Sequence, residues 1–207
     1  MATLPAGLKN ISLFLERLPG IGEKTANRLA FYFLRLPQSD LKEFAETLKD
    51  LKTKTKLCKI CLNLTEDTLC EIDKDPNRDR GTITVVEEVL DLIALETGNI
   101  YKGIYHVLHG KIDPLNNVHP EDIYIEKLLE RVVSQKEPVK EIILATNPDM
   151  EGEATALYIK NKLLDIQNKQ GLKFSISRLG YGLPIGASLE YADYMTLKKS
   201  LENRSRY

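Results

Sequence analysis

Three cysteines and an aspartate stand at metal-ligand spacing between positions 58 and 73 of the 207-residue chain. Cys58-Lys59-Ile60-Cys61 is followed, after eight residues, by Cys70-Glu71-Ile72-Asp73, a C-x2-C-x8-C-x2-D pattern. Zinc takes thiolate sulfur and carboxylate oxygen in one tetrahedral shell, so Asp73 can complete a site begun by Cys58, Cys61 and Cys70. Such a site is structural, because a loop this short has no apolar core of its own. The alternative is three free thiols beside a surface acid. An odd, clustered set of cysteines in a chain without an export signal points to metal binding rather than disulfides.

A second group of residues is acidic. Glu87 and Glu88 close an apolar, β-branched run, Thr82 to Glu87, and Asp91 lies four residues beyond Glu87. Asn147, Asp149, Glu151 and Glu153 follow the run Glu141-Ile-Ile-Leu-Ala145. Carboxylates gathered beyond the ends of parallel strands can hold Mg²⁺ for phosphoryl transfer. They can equally form an acidic rim that caps helices and meets a basic partner protein. No serine, tyrosine or histidine is placed as a nucleophile beside a base. His106, His109 and His119 are read as structural.

The third group is Leu18-Pro19-Gly20-Ile21-Gly22-Glu23-Lys24-Thr25-Ala26-Asn27-Arg28. Gly20 and Gly22 allow a tight turn with uncovered N–H groups, which the following helix turns into the positive end of its dipole. Lys24 and Arg28 sit one helical turn apart on the rim, so the site suits a nucleic-acid phosphate read without sequence preference. A helix–helix turn with solvated charges is the alternative.

These groups need elements to hold them. Apolar periodicity predicts helices over Leu8–Leu18, Glu23–Leu36 (closed by Pro37) and Leu41–Lys56, the last capped by Asp40 with Phe44, Leu48 and Leu51 inward. Its lysine-rich outer side, Lys49 to Lys56, is either a solvated face or a DNA contact. Beyond Gly81, strands at Thr82–Glu87, Gly103–Leu108, Glu141–Ala145 and Lys173–Leu179 alternate with helices ending at Gly98, Val133 and Gln167. Pro120-Glu121-Asp122 opens the second of these helices. That alternation implies a parallel sheet covered on both faces. The loop Gly180–Gly186 leads to a last helix, capped by Ser188 and running to Arg204.

Composition fits a soluble globular protein, and no apolar run reaches the length of a membrane span. Met1 to Lys9 lacks an apolar signal core, so the cytoplasm is expected. Charge is uneven: residues 1–56 carry ten Lys/Arg against six Asp/Glu, a net of +4, which leaves −5 for the remainder. This fits a nucleic-acid-facing N-terminal module on a more acidic body.

In order and spacing these stretches closely resemble the RecR family of bacterial recombination mediators. The match runs from Leu18-Pro-Gly-Ile-Gly22 through the cysteine knuckle, Asp75–Arg80, Val85-Val-Glu-Glu88, Tyr105-His-Val-Leu108 and Ala145-Thr-Asn-Pro148. It continues through Glu151-Gly-Glu-Ala-Thr-Ala156, Gly182-Leu-Pro-Ile-Gly186 and Leu189-Glu-Tyr-Ala-Asp193. The resemblance implies an α/β protein in four parts: a helix-hairpin-helix DNA-binding region (1–56), a zinc knuckle (57–80), a Toprim domain (81–170) and a C-terminal strand, loop and helix forming an oligomer interface (171–207).

It further implies a tetrameric ring that binds single- and double-stranded DNA and acts with RecO and RecF to load RecA at gaps. Gly20, Gly22, Lys24 and Arg28 then face DNA. Cys58, Cys61 and Cys70 hold zinc, and Glu87, Asp91 and Glu151 fall in the region that meets RecO. Three positions depart from the family: Asp73 where Cys is usual, Tyr181 where a basic residue is common, and His109 where Gly is usual. Catalytic Toprim enzymes place Mg²⁺ with a Glu and an Asp-x-Asp pair. Here the pair reads Asn147-Pro148-Asp149, which leaves weaker Mg²⁺ binding and no expected catalysis. A Mg²⁺-dependent nuclease or primase-like enzyme and a pure protein scaffold are the competing classes.

Overall fold

The computed structural model describes residues 4–99 and 101–204. The chain divides into two compact units, residues 1–55 and 56–207, each treated by itself below. The outermost ends of the expected terminal parts, 1–3 and 205–207, lie outside the described residues.

In the first unit, α1 (Ala6–Leu15) packs on α2 (Glu23–Phe33), with α3 (Gln38–Lys54) following. Ser12, Ala26 and Ala30 are buried where α1 meets α2. Their small size lets the helices approach closely, and Ser12 Oγ donates to Asn27 Oδ1 at 2.9 Å across the contact. Phe33 stacks on Phe44, with ring centroids 5.6 Å apart, to tie α3 in.

Two expectations fail here. Asp40 does not cap α3: the N-cap is Pro37, and Asp40 lies in the first turn, where its charge suits the helix dipole. Phe44, Leu48 and Leu51 are not inward either, being 47%, 54% and 56% exposed. The helical period holds, but burial needs a covering surface as well as an apolar stripe.

The second unit opens with a hairpin, β1 (Lys56–Leu57) against β2 (Leu64–Thr65), then the short helix α4 (Glu71–Lys74). Neither two-residue strand carries enough pattern to be read from sequence. The main sheet holds β3 (Asp79–Val86), β4 (Gly103–Val107), β5 (Glu141–Leu144) and β6 (Ser175–Arg178) in the order β4-β3-β5-β6, all parallel.

One face packs Ile83, Val85, Ile142 and Leu144 against α6 (Ile125–Ser134) and α7 (Met150–Gln170). The other packs Val86, Tyr105 and Val107 against Leu92 of α5 (Val89–Thr97). Burial on both faces is why β3 and β4 read as continuous apolar runs.

Helix α6 begins five residues later than Pro120 suggests, after a turn. Ser188 makes no side-chain cap and precedes only a 3₁₀ turn, Leu189–Tyr191. The last helix is α8 (Tyr194–Glu202), capped by Asp193, whose side chain accepts from Thr196 N–H at 2.9 Å. Among the described residues, no helix is long and apolar enough to cross a membrane.

Candidate functional sites

At the hairpin, Gly20 takes φ +78°, a left-handed conformation that suits glycine, and Ile21 N–H donates to Leu18 O at 3.1 Å. Gly22 is the N-cap of α2 and supplies no side-chain cap. The first-turn N–H groups are therefore open to an outside acceptor. Lys24 and Arg28 are exposed and line one shallow concavity together with Asn27, Tyr32 and Arg35.

In the knuckle, one donor atom from each of Cys58, Cys61, Cys70 and Asp73 lies within 4.8 Å of all the others, and all four residues are buried. Cys58 Sγ is 3.1 Å and Cys70 Sγ 3.5 Å from Asp73 Oδ2, while Cys61 and Cys70 sulfurs are 3.4 Å apart. Tetrahedral zinc at ordinary bond lengths separates its sulfurs by roughly 3.8 Å, so small adjustments convert this cluster into a coordination shell.

The turn that brings the first two cysteines together is held by Leu62 N–H to Cys58 O at 3.1 Å, with Leu62 itself at φ +64°. Burial pushes the Cys58 thiol up, and the Cys61 thiol is pushed up by its hydrogen bond to Cys70, with burial and the Asp73 charge adding to it. A cation that takes the place of those protons relieves both effects.

The wider surroundings fit a cation as well. Asp73 Oδ1 is buried without a hydrogen-bond partner among the described residues and faces Arg131 Nη2 at 3.9 Å, with side-chain exposures of 0% and 9%. Arg131 is fixed by donating from Nη1 to Tyr105 O at 2.6 Å. Three thiolates and a carboxylate around a divalent ion leave a net charge of about −2, which a buried guanidinium partly offsets. Sequence alone does not mark Arg131, which is 58 residues beyond Asp73. The knuckle is also pinned to the sheet, by Val107 N–H to Cys61 O at 2.9 Å and by a 2.7 Å contact of His109 Nε2 with Leu62 O. His109 sits at φ +56°, in the left-handed region that favours glycine. His106 is fully buried, with Nε2 2.9 Å from Tyr124 O.

At the carboxyl ends of the strands the acids are engaged with one another's neighbours. Glu87, 3% exposed, follows β3 directly and accepts from both nitrogens of Asn147: the backbone N–H at 2.8 Å and Nδ2 at 2.7 Å. Asp91 serves the start of α5. It closes a capping box with Glu88, accepting from Glu88 N–H at 2.9 Å. Asp149 caps α7 through Gly152 N–H at 2.7 Å and also accepts from Lys111 Nζ. Lys111 lies 3.6 Å from Glu151 as well, and it holds the Asp149 carboxyl below the usual range. Arg178 pairs with Glu153 at 2.7 Å, and Tyr181 stacks under the guanidinium, 5.1 Å from ring centroid to carbon, while donating its hydroxyl to Glu153.

Gly152 is a fitted residue here. A Cβ at this position would fall 2.2 Å from Asn147 O and 2.7 Å from Glu87 Oε1. Lys111 and Arg178 carry no sequence signal, since each reaches its acid across 25 or more residues. The result is a closed set of amide–carboxylate and cation–carboxylate pairs.

Comparison with known proteins matches three stretches to family models: a RecR helix-hairpin-helix over residues 14–52, a Toprim domain over 81–177 and a RecR C-terminal segment over 182–205. A protein of Moorella thermoacetica named Recombination protein RecR is 46% identical over 200 residues, covering 97% of this chain and 96% of its own. Proteins of the same name from Carboxydothermus hydrogenoformans and Lactococcus lactis subsp. cremoris are 44% and 46% identical, over 92% and 91% of both chains.

Proposed function

The chain belongs to the RecR family of recombination proteins, and from that premise we propose that it is a non-catalytic DNA-binding mediator of recombinational repair. In this reading it assembles into an oligomeric clamp, a tetrameric ring, and acts in the cytoplasm with RecO and RecF to promote RecA loading at gapped or damaged DNA. The observation that carries the proposal is the hairpin: Gly22 leaves the α2 terminus uncapped, and exposed Lys24 and Arg28 flank it. The N–H groups and the two cations address one phosphate backbone and no base edge, so binding is independent of sequence.

A single hairpin of this kind binds at about 10⁻⁴ to 10⁻⁶ M at physiological salt, and several on one ring gain through effective concentration. Exposed apolar residues support self-assembly: Phe14, Leu48 and Leu51 in the first unit, and Ile185, Tyr191 and Tyr194 near the C-terminus. The knuckle carries one structural zinc per chain on Cys58, Cys61, Cys70 and Asp73. Glu87, Asp91 and Glu151 fall in the region assigned to RecO contact; Glu87 and Asp91 serve internal bonds there, and Glu151 faces Lys111 at 3.6 Å.

The pairings at the strand ends favour a non-catalytic role. Asn147 occupies one acceptor site on each Glu87 oxygen, and the Lys111 ammonium already offsets charge at Asp149 and Glu151, so a divalent ion meets a weakened ligand set. The Toprim match keeps one alternative alive, a Mg²⁺-dependent nuclease or primase-like enzyme. Mg²⁺-dependent turnover that disappears in Glu87→Ala would establish it.

The DNA assignment is tested by titrating Lys24→Ala/Arg28→Ala and wild type with duplex DNA across salt concentrations. Removing a cation from one phosphate lowers the salt slope by about 0.9. An unchanged affinity with an unchanged slope would remove the hairpin from the DNA interface.

A further inference from the structure

A cleft of about 570 Å³ opens between the knuckle and α6, on residues distinct from those of the hairpin and the strand-end acids. Its apolar lining comes from Ile60 and Leu62, with the buried Ile104 behind them. Around them stand five cations and two acids, and the pairing among these leaves positive charge to spare. Lys127 is matched by Glu130 at 2.8 Å, Arg80 approaches Glu137 at 3.8 Å, and Arg131 faces Asp73. Lys59 and Lys136 form no ion pair among the described residues.

The walls are also rigid. Arg80 Nη2 donates to Asp73 O at 2.9 Å, and Gln135 Nε2 donates to Arg80 O at 2.6 Å and to Glu137 O at 3.2 Å. The cleft is thus held in place by backbone carbonyls before any ligand arrives, which lowers the ordering cost of binding.

We infer that this cleft is a second nucleic-acid grip, specific for single strands, with a backbone phosphate between Lys59 and Lys136 and the adjoining sugar and base on the Ile60–Leu62 surface. An apolar floor inside a cationic rim matches the chemistry of a polynucleotide, which alternates an apolar-faced base with an anion. A cleft of this volume takes about one or two nucleotides of an unpaired strand and excludes a duplex, whose bases are stacked inside. The inference rests on the DNA-binding reading of the chain but not on the hairpin's part in it. It gives a mediator at gaps two grips of different character: the hairpin for any phosphate backbone and this cleft for the unpaired strand.

The test is fluorescence anisotropy of the full-length protein with an oligothymidylate and with a duplex of equal length, from about 50 to 200 mM salt. Wild type is compared with Lys59→Ala/Lys136→Ala and with Lys136→Glu, with metal content and melting temperature measured for each. Removing both lysines from a single strand lowers the salt slope by about 1.4 and weakens oligothymidylate binding roughly tenfold near 0.1 M salt, while duplex binding stays within about twofold. Charge reversal in Lys136→Glu weakens oligothymidylate binding at least as much as deleting that one ammonium. Folded variants with wild-type oligothymidylate affinity and slope overturn the inference, and so does an equal loss on duplex. Lys24→Ala/Arg28→Ala is measured in parallel: its failure to weaken duplex binding counts against the hairpin alone, so the two readings fail separately.

Discussion

Replacing Asn147 by Asp places a second carboxylate beside Glu87, and the consequence can be worked from the geometry. Glu87 is 3% exposed, and its Oε2 receives the Asn147 Nδ2–H at 2.7 Å. In Asn147→Asp that donor becomes an oxygen, so a charge-assisted hydrogen bond of about 1.5–3 kcal/mol is lost. Two carboxylates then face each other, a repulsion of up to about 4 kcal/mol at 4 Å in an effective dielectric of 20. Residue 147 is solvent-exposed, which screens much of that repulsion.

A net cost of about 3 kcal/mol at pH 7 follows, or roughly 6–12 °C in melting temperature for a unit of this size. The assay is differential scanning calorimetry at pH 7, with and without millimolar Mg²⁺. The deficit shrinks on adding Mg²⁺, which now finds a paired acid site. Wild type responds little to Mg²⁺. A variant that melts with wild type, or a wild type stabilised by Mg²⁺ as much as the variant, refutes the view that Asn147 closes this site.

Other perturbations probe the same framework. Gly152→Ala drives a Cβ into Asn147 O and Glu87 Oε1 and is expected to cost about 1–3 kcal/mol in urea unfolding, with a wild-type m-value. Glu96 is 23% exposed at its side chain and held below the usual carboxylate range, chiefly by its bond to Arg78, with Nη2–Oε2 at 2.5 Å. Stability from a depressed carboxyl is present above its unfolded value, about 4.3, and is lost as pH falls through the folded one. Glu96→Gln therefore costs about 2 kcal/mol at pH 7, and the gap to wild type closes below about pH 4 in pH-dependent unfolding. Elemental analysis is expected to give about one zinc per chain. Arg131→Met, which removes the charge facing Asp73 Oδ1, is expected to release zinc to a chelator about 10–100-fold more readily, and a variant that holds zinc like wild type dismisses Arg131's part.

What can be read from sequence and what cannot divide along the range of the interactions. The knuckle spacing needs only short-range geometry, and the fold brings Cys58, Cys61, Cys70 and Asp73 within 4.8 Å. The parallel sheet is legible because β3 and β4 are apolar on both faces, and Gly20 because only a left-handed residue closes that turn. The partners of the acids are not legible. Lys111 reaches Asp149 from 38 residues away, and Asn147 reaches Glu87 from 60, through a topology no local pattern encodes. Ser188 and Asp40 mislead as caps, because residues of good capping type stand near a helix start while the backbone begins its turn elsewhere. Phe44, Leu48 and Leu51 show the limit of periodicity: it identifies an apolar stripe, and only a partner surface buries it.

The proposed role depends above all on the chain holding DNA as a closed assembly of several hairpins. The direct measurement is the lifetime of the protein on one gapped circular DNA and on the same molecule linearised, followed after a jump to high salt. A clamp whose individual grips are weak slides off the open ends within the dead time and persists on the circle. Equal lifetimes on the two DNAs would contradict it.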